Sequence, residues 1–326
     1  MNIEVPHRRP REEADDDCVQ AFQVEPLDVR GRIVRLGPAL GEVLAHHTYP
    51  PPVARLLAEA TTLGVLLGST LKQMGRFILQ TQSDGPVDMM VVDITAPDRV
   101  RAYARFDADR ISAMAARDKI DACALLGHGH LAMTIEPGGD KNRYQGVTAL
   151  EGEGLETAAH RYFVQSEQIP TQLRLAVGEE MHAGRAPTWR AGGLLAQFLP
   201  REAGRAVRAD LDPGDAPASY RPHAVAEDDA WIEARSLVST VEDHELLDPS
   251  LSSERLLWRL FNQRGVRVFR SQKVTAHCTC SRERVSSLLK RFEHSDRADM
   301  VEDGQVIVTC EFCGRRYEFQ PADIGL

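Results

Sequence analysis

The residues best equipped for chemistry lie at the end of the chain. Four of its six cysteines stand there in two tight pairs, Cys278-Thr279-Cys280 and Cys310-Glu311-Phe312-Cys313-Gly314. One residue separates the first pair, two separate the second, and 29 lie between them. Two thiolate pairs on a connector long enough to fold back can close a tetrahedral sulfur site. Soft thiolates and closed four-coordination make zinc the expected metal, one Zn2+ per chain. The second pair has the form of a zinc knuckle, in which Gly314 can take positive φ and let backbone N–H groups approach the sulfurs. Cysteines two apart on a strand share a face, so Cys278 and Cys280 can reach the same ion. Two plainer readings are buried thiols that bind nothing and resting disulfides. The segment is too polar for an apolar thiol core, and a reducing compartment disfavours static bridges.

That compartment follows from the rest of the chain. At 326 residues it is long enough for a sizeable core and more than one domain, and 43% hydrophobic with 27% charged residues is ordinary for a soluble protein. A net charge of −9 argues against general nucleic-acid binding. No apolar run is long enough to span a membrane, and the charged N-terminus has no apolar signal core, so a cytoplasmic location is expected.

The elements that must position the cysteines are read from periodicity. Residues 1–17 mix basic and acidic side chains and read as a disordered tail, with Cys18 an incidental thiol. Strands are expected over 19–24 and 29–36, and a wide apolar helix runs from Pro50-Pro51-Pro52 to Lys72. Residues 76–82 and 87–95, joined by Ser83-Asp84-Gly85-Pro86, form a hairpin, and 100–106 a third strand. A helix over 107–117 precedes a second hairpin, 131–136 with 144–150, around Pro137-Gly138-Gly139-Asp140. A helix over 155–165 and strands over 172–177 and 194–198 complete this part. Residues 210–221 are turn-rich. Helices over 228–243 and 253–262 and a short strand at 266–269 lead to the cysteines. Between the pairs, Ser281 caps a helix with Val285, Leu288, Leu289 and Phe292 on its apolar face. No strand–helix–strand rhythm with a glycine-rich first turn appears, so the fold class is α+β, mostly antiparallel.

The expected division is an extension over 1–18, an N-terminal domain of mostly antiparallel sheet with helices over 19–208, a loop and helical linker over 209–265, and a small zinc-binding domain over 266–326. Other motifs are weaker. Gly127-His128-Gly129-His130 lacks the remainder of any phosphate-loop pattern and reads as a turn. His46-His47 reads as a helix end, and Cys123 as a core thiol. The polar run Tyr162-Phe163-Val164-Gln165-Ser166-Glu167-Gln168-Ile169-Pro170-Thr171 offers an active-site corner, but with no obvious general base nearby it reads as a junction of buried hydrogen bonds.

Together these residues resemble the heat shock protein 33 family, redox-regulated bacterial holdase chaperones. The resemblance runs from about residue 19 to 319. It rests on the two cysteine pairs at this interval and on Gly75-Arg76-Phe77, Tyr144-Gln145-Gly146-Val147, Tyr162-Phe163 with Gln165-Ser166-Glu167-Gln168, and Gly192-Gly193-Leu194-Leu195. It implies an N-terminal α+β domain, a helical linker and a zinc domain ligated by Cys278, Cys280, Cys310 and Cys313. The charged N-terminal extension and extra residues around 208–221 depart from the family pattern.

The chemistry agrees with that resemblance. Metal-bound thiolates remain oxidisable, and a neighbouring cysteine resolves a sulfenic acid to a disulfide. Cysteines so close in sequence are expected to pair locally, Cys278 with Cys280 and Cys310 with Cys313, which the resemblance also implies. Loss of the metal then unfolds the cysteine domain and loosens the linker. Trp231, Leu237, Leu256, Leu257 and Phe261 become the expected surface for unfolding client proteins, or for a homodimer of the oxidised form. No nucleotide motif appears, so activity is expected to be ATP-independent and non-enzymatic, with neither nucleic acid nor membrane as partner. The rival readings are a zinc-ribbon nucleic-acid module and a thiol–disulfide oxidoreductase. The first is weakened by balanced charge around the cysteines, the second by the missing strand–helix–strand setting.

Overall fold

A computed structural model describes residues 16–71, 75–115, 120–138, 142–182, 184, 186–200 and 228–326. Most of the N-terminal tail, the turn-rich stretch at 210–221, Lys72, residues 116–117 of the expected helix and Gly139-Asp140 lie outside these.

Two six-stranded sheets sandwich a long central helix. The first sheet contains β1 (Cys18–Val24) and β2 (Val29–Leu36), followed in the chain by helices α1 (Pro38–Ala45) and α2 (Pro51–Gly68). The second sheet is built from β3 (Gly75–Ser83), β4 (Met89–Thr95) and β5 (Arg99–Arg105). After helices α3 (Ala108–Ala115) and α4 (Ala122–Leu126) it gains β6 (His128–Pro137) and β7 (Tyr144–Glu151). Helix α5 (Leu155–Tyr162) leads back to β8 (Thr171–Glu180) and β9 (Thr188–Phe198), which rejoin the first sheet. Three linker helices follow, α6 (Asp229–Ser239), α7 (Asp243–Leu247) and α8 (Ser253–Phe261). The chain then returns through β10 (Arg267–Val268), β11 (Gln272–Lys273) and β12 (Thr275–Ala276). The cysteine unit holds α9 (Arg282–Leu289), α10 (His294–Asp299) and the hairpin β13 (Val306–Thr309) with β14 (Arg316–Phe319).

The first sheet runs β10-β1-β2-β9-β8 with β11 also on β1, and the second runs β12-β5-β4-β3-β6-β7. All pairings are antiparallel except β12 on β5. The chain is therefore α+β, as expected. The face α2 needs is apolar nearly all round, and it buries Leu56, Leu57, Leu63 and Leu66 between the sheets.

A second apolar layer covers the outside of the first sheet. Phe22, Ile33, Leu194 and Phe198 meet Trp231, Val238, Leu246, Leu256, Leu257 and Phe261 of the linker helices. Four of the five side chains expected to meet clients are thus buried, and Leu237 is partly buried at the edge. Gly192 makes this approach possible, since a Cβ there would stand 2.5 Å from the Leu246 carbonyl oxygen. Arg35, itself buried, donates to the carbonyl oxygens of Glu245, Leu246 and Asp248 and so satisfies the end of α7.

Several expectations change. The extension was drawn to residue 18, yet Asp16 holds Arg190 at 2.6 Å, Asp17 accepts from the N–H groups of Gly37 and Ala39, and Cys18 is buried in β1. Within the cysteine domain expected over 266–326, β10, β11 and β12 are hydrogen-bonded into the two large sheets. Such two-residue strands carry no periodic signal. The helix expected over 228–243 is α6 and stops at Ser239, where Thr240 closes it; Glu242 then opens α7 with a capping box, a short helix that runs past the expected span. The helix over 155–165 ends in a π-helical turn, Phe163–Glu167, with Tyr162 bonded to Glu167 at 2.8 Å. Only Gly127 of Gly127-His128-Gly129-His130 is a turn, at φ +64, and the next residue begins β6. Cys123 is half-buried on α4 rather than in the core. α1 does end at Ala45, beside His46-His47.

Candidate metal centre

The return strands deliver the first cysteine pair. β12 adds to the edge of β5, with Thr275 opposite Arg99 and Ala276 opposite Val100. The His277 N–H donates to the Val100 carbonyl oxygen at 2.9 Å, which brings Cys278 beside Arg101. Ser281 then caps α9 by accepting from the Arg284 N–H, as expected from sequence. The second pair sits in the turn between β13 and β14. There the Gly314 N–H donates to the Cys310 carbonyl oxygen at 2.8 Å, and Gly314 takes φ +63. The Cys310-x-x-Cys313 segment is therefore a hairpin knuckle, not the first turn of a helix.

The fold brings all four sulfurs together. They lie within 4.8 Å of one another, with Cys278 and Cys310 at 3.7 Å and Cys280 and Cys313 at 3.3 Å. None of these four cysteines forms a disulfide. Four sulfurs about 2.3 Å from a tetrahedral zinc stand about 3.8 Å apart, so the donor set and its spacing fit a closed tetrathiolate site. Both of these close separations join the two pairs across the fold, so the reduced geometry does not itself select local disulfides.

Electrostatics at the cluster is uneven. Burial pushes the Cys278 thiol up, but hydrogen bonds from the Cys280 backbone and thiol and from the Arg101 guanidinium bring it down to about 7. Burial pushes Cys310 and Cys313 up, and hydrogen bonds with neighbouring thiols add to it. Four thiols this close thus share negative charge unequally, and a divalent cation would allow the rest to ionise.

Sequence reasoning missed the side chains around the sulfurs. Tyr317 donates its hydroxyl to Cys280 Sγ at 3.1 Å. Arg101 Nη1 lies 3.8 Å from Cys278 Sγ, and its guanidinium covers the Phe312 ring at 4.1 Å from the centroid. His47 Nε2 is 2.6 Å from the Glu311 carbonyl oxygen. These contacts tie the cysteine unit to the second sheet and to the end of α1. Only the alternation that points Arg101 and Tyr103 to one face of β5 could have hinted at them.

A model of the Hsp33 protein family matches residues 17–320. A 33 kDa chaperonin of Caulobacter vibrioides is 45% identical over 308 residues, covering 94% of this chain and 95% of its own. One from Ectopseudomonas mendocina is 35% identical over 316 residues, covering 95% and 94%. The crystal structure of the 33 kDa chaperonin of Thermotoga maritima superposes with a TM-score of 0.70 at 19% identity, covering 95% of this chain and 97% of that one. This chain belongs to the Hsp33 family.

Proposed function

We propose that this protein is an ATP-independent holdase chaperone, held inactive by a zinc tetrathiolate and activated by oxidation. The observation that carries the reading is the convergence of Cys278, Cys280, Cys310 and Cys313 within 4.8 Å, in a unit that buries little else. The relatives' name, 33 kDa chaperonin, supports the chaperone part. Among the described residues no helix is long and apolar enough to cross a membrane. We read the protein as cytoplasmic, where thiols rest reduced.

Zinc, when bound, would keep the four sulfurs deprotonated and supply folding energy of about 10–16 kcal/mol, the range for zinc peptides. The cysteines carry the reaction. One thiolate attacks an oxygen of hydrogen peroxide, the O–O bond breaks and hydroxide leaves, giving a sulfenic acid. A second thiolate attacks that sulfur and expels another hydroxide, so each disulfide consumes one peroxide. Two disulfides remove all four ligands. Once the unit opens, the short chain between Cys278 and Cys280, and between Cys310 and Cys313, keeps the local partners near, so these are the proposed pairs. The linker helices then loosen, and Trp231, Leu237, Leu256, Leu257 and Phe261 meet an unfolding client or a second oxidised copy.

The test compares aggregation of a heat-unfolded client with reduced and with peroxide-treated protein, while a chromophoric chelator follows zinc. Protection only after oxidation, with one zinc released per chain and local disulfides by mass mapping, is expected. Equal protection by both forms sinks the switch.

A further inference from the structure

We infer that Arg101 makes the edge of the second sheet a charge-matched seat for the cysteine unit, one that grips its four-thiolate state and releases its oxidised state. This rests on the zinc-tetrathiolate reading above. The seat is already formed by burial. The Asp93 side chain is 1% exposed and accepts from Arg76 at 2.6 and 2.7 Å and from Arg101 at 2.7 and 2.6 Å. Arg76 also reaches Glu136, which Arg143 approaches at 3.8 Å, so three guanidiniums meet two carboxylates. The surplus positive charge sits at the Cys278 end. Among the described residues Arg101 has no other carboxylate within salt-bridge reach, and its free Nη1 points at Cys278 Sγ.

The unit's other contacts with the seat do not involve the sulfurs, and the Glu311 carboxylate acts on Arg105 of β5 from the unit's side. Phe312 lies between Arg101 and Tyr103, with ring centroids 6.4 Å apart for the aromatic pair, and His47 meets the Glu311 carbonyl. Four thiolates around one divalent cation make a dianion, whereas two disulfides are neutral. Oxidation therefore removes the anion that the surplus guanidinium faces, in a half-buried site. What remains is the Phe312 contact with Arg101 and Tyr103, the Glu311–Arg105 attraction and one backbone hydrogen bond, none of which involves a sulfur. In this reading Arg101 is a positioning residue that reports the charge of the cluster to the sheet.

Hydrogen exchange on the full, reduced, zinc-loaded chain tests it, read at residues 46–49, 101–105 and 311–314, with zinc content measured on the same samples. In Arg101→Gln the unit should keep its zinc yet exchange about tenfold faster at these positions, the equivalent of one charge-assisted hydrogen bond. Arg101→Lys, which keeps the charge, should restore part of the protection. Exchange in β1 and β2 reports whether the body itself has been disturbed. Should Arg101→Gln disturb it, Phe312→Ala leaves the Asp93 cluster intact and should still quicken exchange at the seat severalfold. Seat exchange unchanged in both variants, with zinc bound, overturns the seat. Wild-type protein that binds no zinc overturns the underlying reading instead.

Discussion

The linker helices and the cysteine unit lean on the same body and are held there in different ways. α6, α7 and α8 bring Trp231, Ala234, Val238, Leu246, Leu256, Leu257, Leu260 and Phe261 to a continuous apolar layer on the first sheet. The cysteine unit fully buries only Leu289, Val306, Tyr317, Phe319 and Ile324 as its own core. A core that small does not usually sustain a fold without a staple. Apolar burial is indifferent to oxidants, whereas a sulfur staple is destroyed by them. The body can therefore stay folded under conditions that open the residues following β12.

The difference is largest on removing the staple. Chelation of the reduced protein, or Cys310→Ser, should unfold the unit: five buried side chains contribute roughly 8–15 kcal/mol, which ordering the chain offsets, so about 10–16 kcal/mol of metal binding decides the balance. Amides of β13 and β14 should lose exchange protection while those of β1, β2 and β9 keep theirs. A metal-free, reduced unit with protected β13 amides would show that its core suffices.

The linker should respond to volume instead. Phe261 is 1% exposed and stacks on Phe22 at 5.8 Å, so Phe261→Ala should cost about 3–5 kcal/mol. Trp258, three residues earlier on the same helix, is 65% exposed, and Trp258→Ala should change stability by no more than about 0.5 kcal/mol. Urea midpoints of the two variants check this. Equal shifts would mean that the layer over the first sheet is not packed as a core.

The contrast also explains what was legible in the sequence. The thiol pairs stood out because metal-ligand spacing is local. Both hairpins and α2 stood out because period and turn chemistry are local too. The partners of the sulfurs were hidden, because Arg101 reaches Cys278 across 177 residues and His47 reaches Glu311 across 264. Asp16 and Asp17 were read as tail, since an acidic run looks solvated until Arg190 and the start of α1 are placed against it. Gly192-Gly193 was legible only as a family motif. Its cause is tertiary, with Leu246 crossing one face of β9 and Leu66 the other.

The smallest effect concerns pH and should have opposite sign in the two regions. Thiolate ligands compete with protons, so the cysteine unit gains stability as pH rises. The body holds a group that behaves otherwise. Glu59 of α2 is half-buried against a cavity of about 220 Å³ lined by Leu56, Ile120, Leu125 and Trp189. Burial and the nearby Glu156 carboxylate push Glu59 from 4.5 up to about 7, against the pull of Arg55. A carboxyl whose pKa is raised on folding favours the folded state most at low pH, and that advantage is lost as pH climbs from about 4.5 through 7. Glu59→Gln removes the titration while keeping the shape. It should leave the body's melting temperature unchanged near pH 4 and raise it at pH 8, by the equivalent of about 1–3 kcal/mol. Calorimetry of the oxidised protein isolates the body's transition from that of the metal-held unit. A Glu59→Gln body no more stable than wild type at pH 8 would mean that the carboxylate is solvated through the cavity, and that the body's response to pH arises elsewhere.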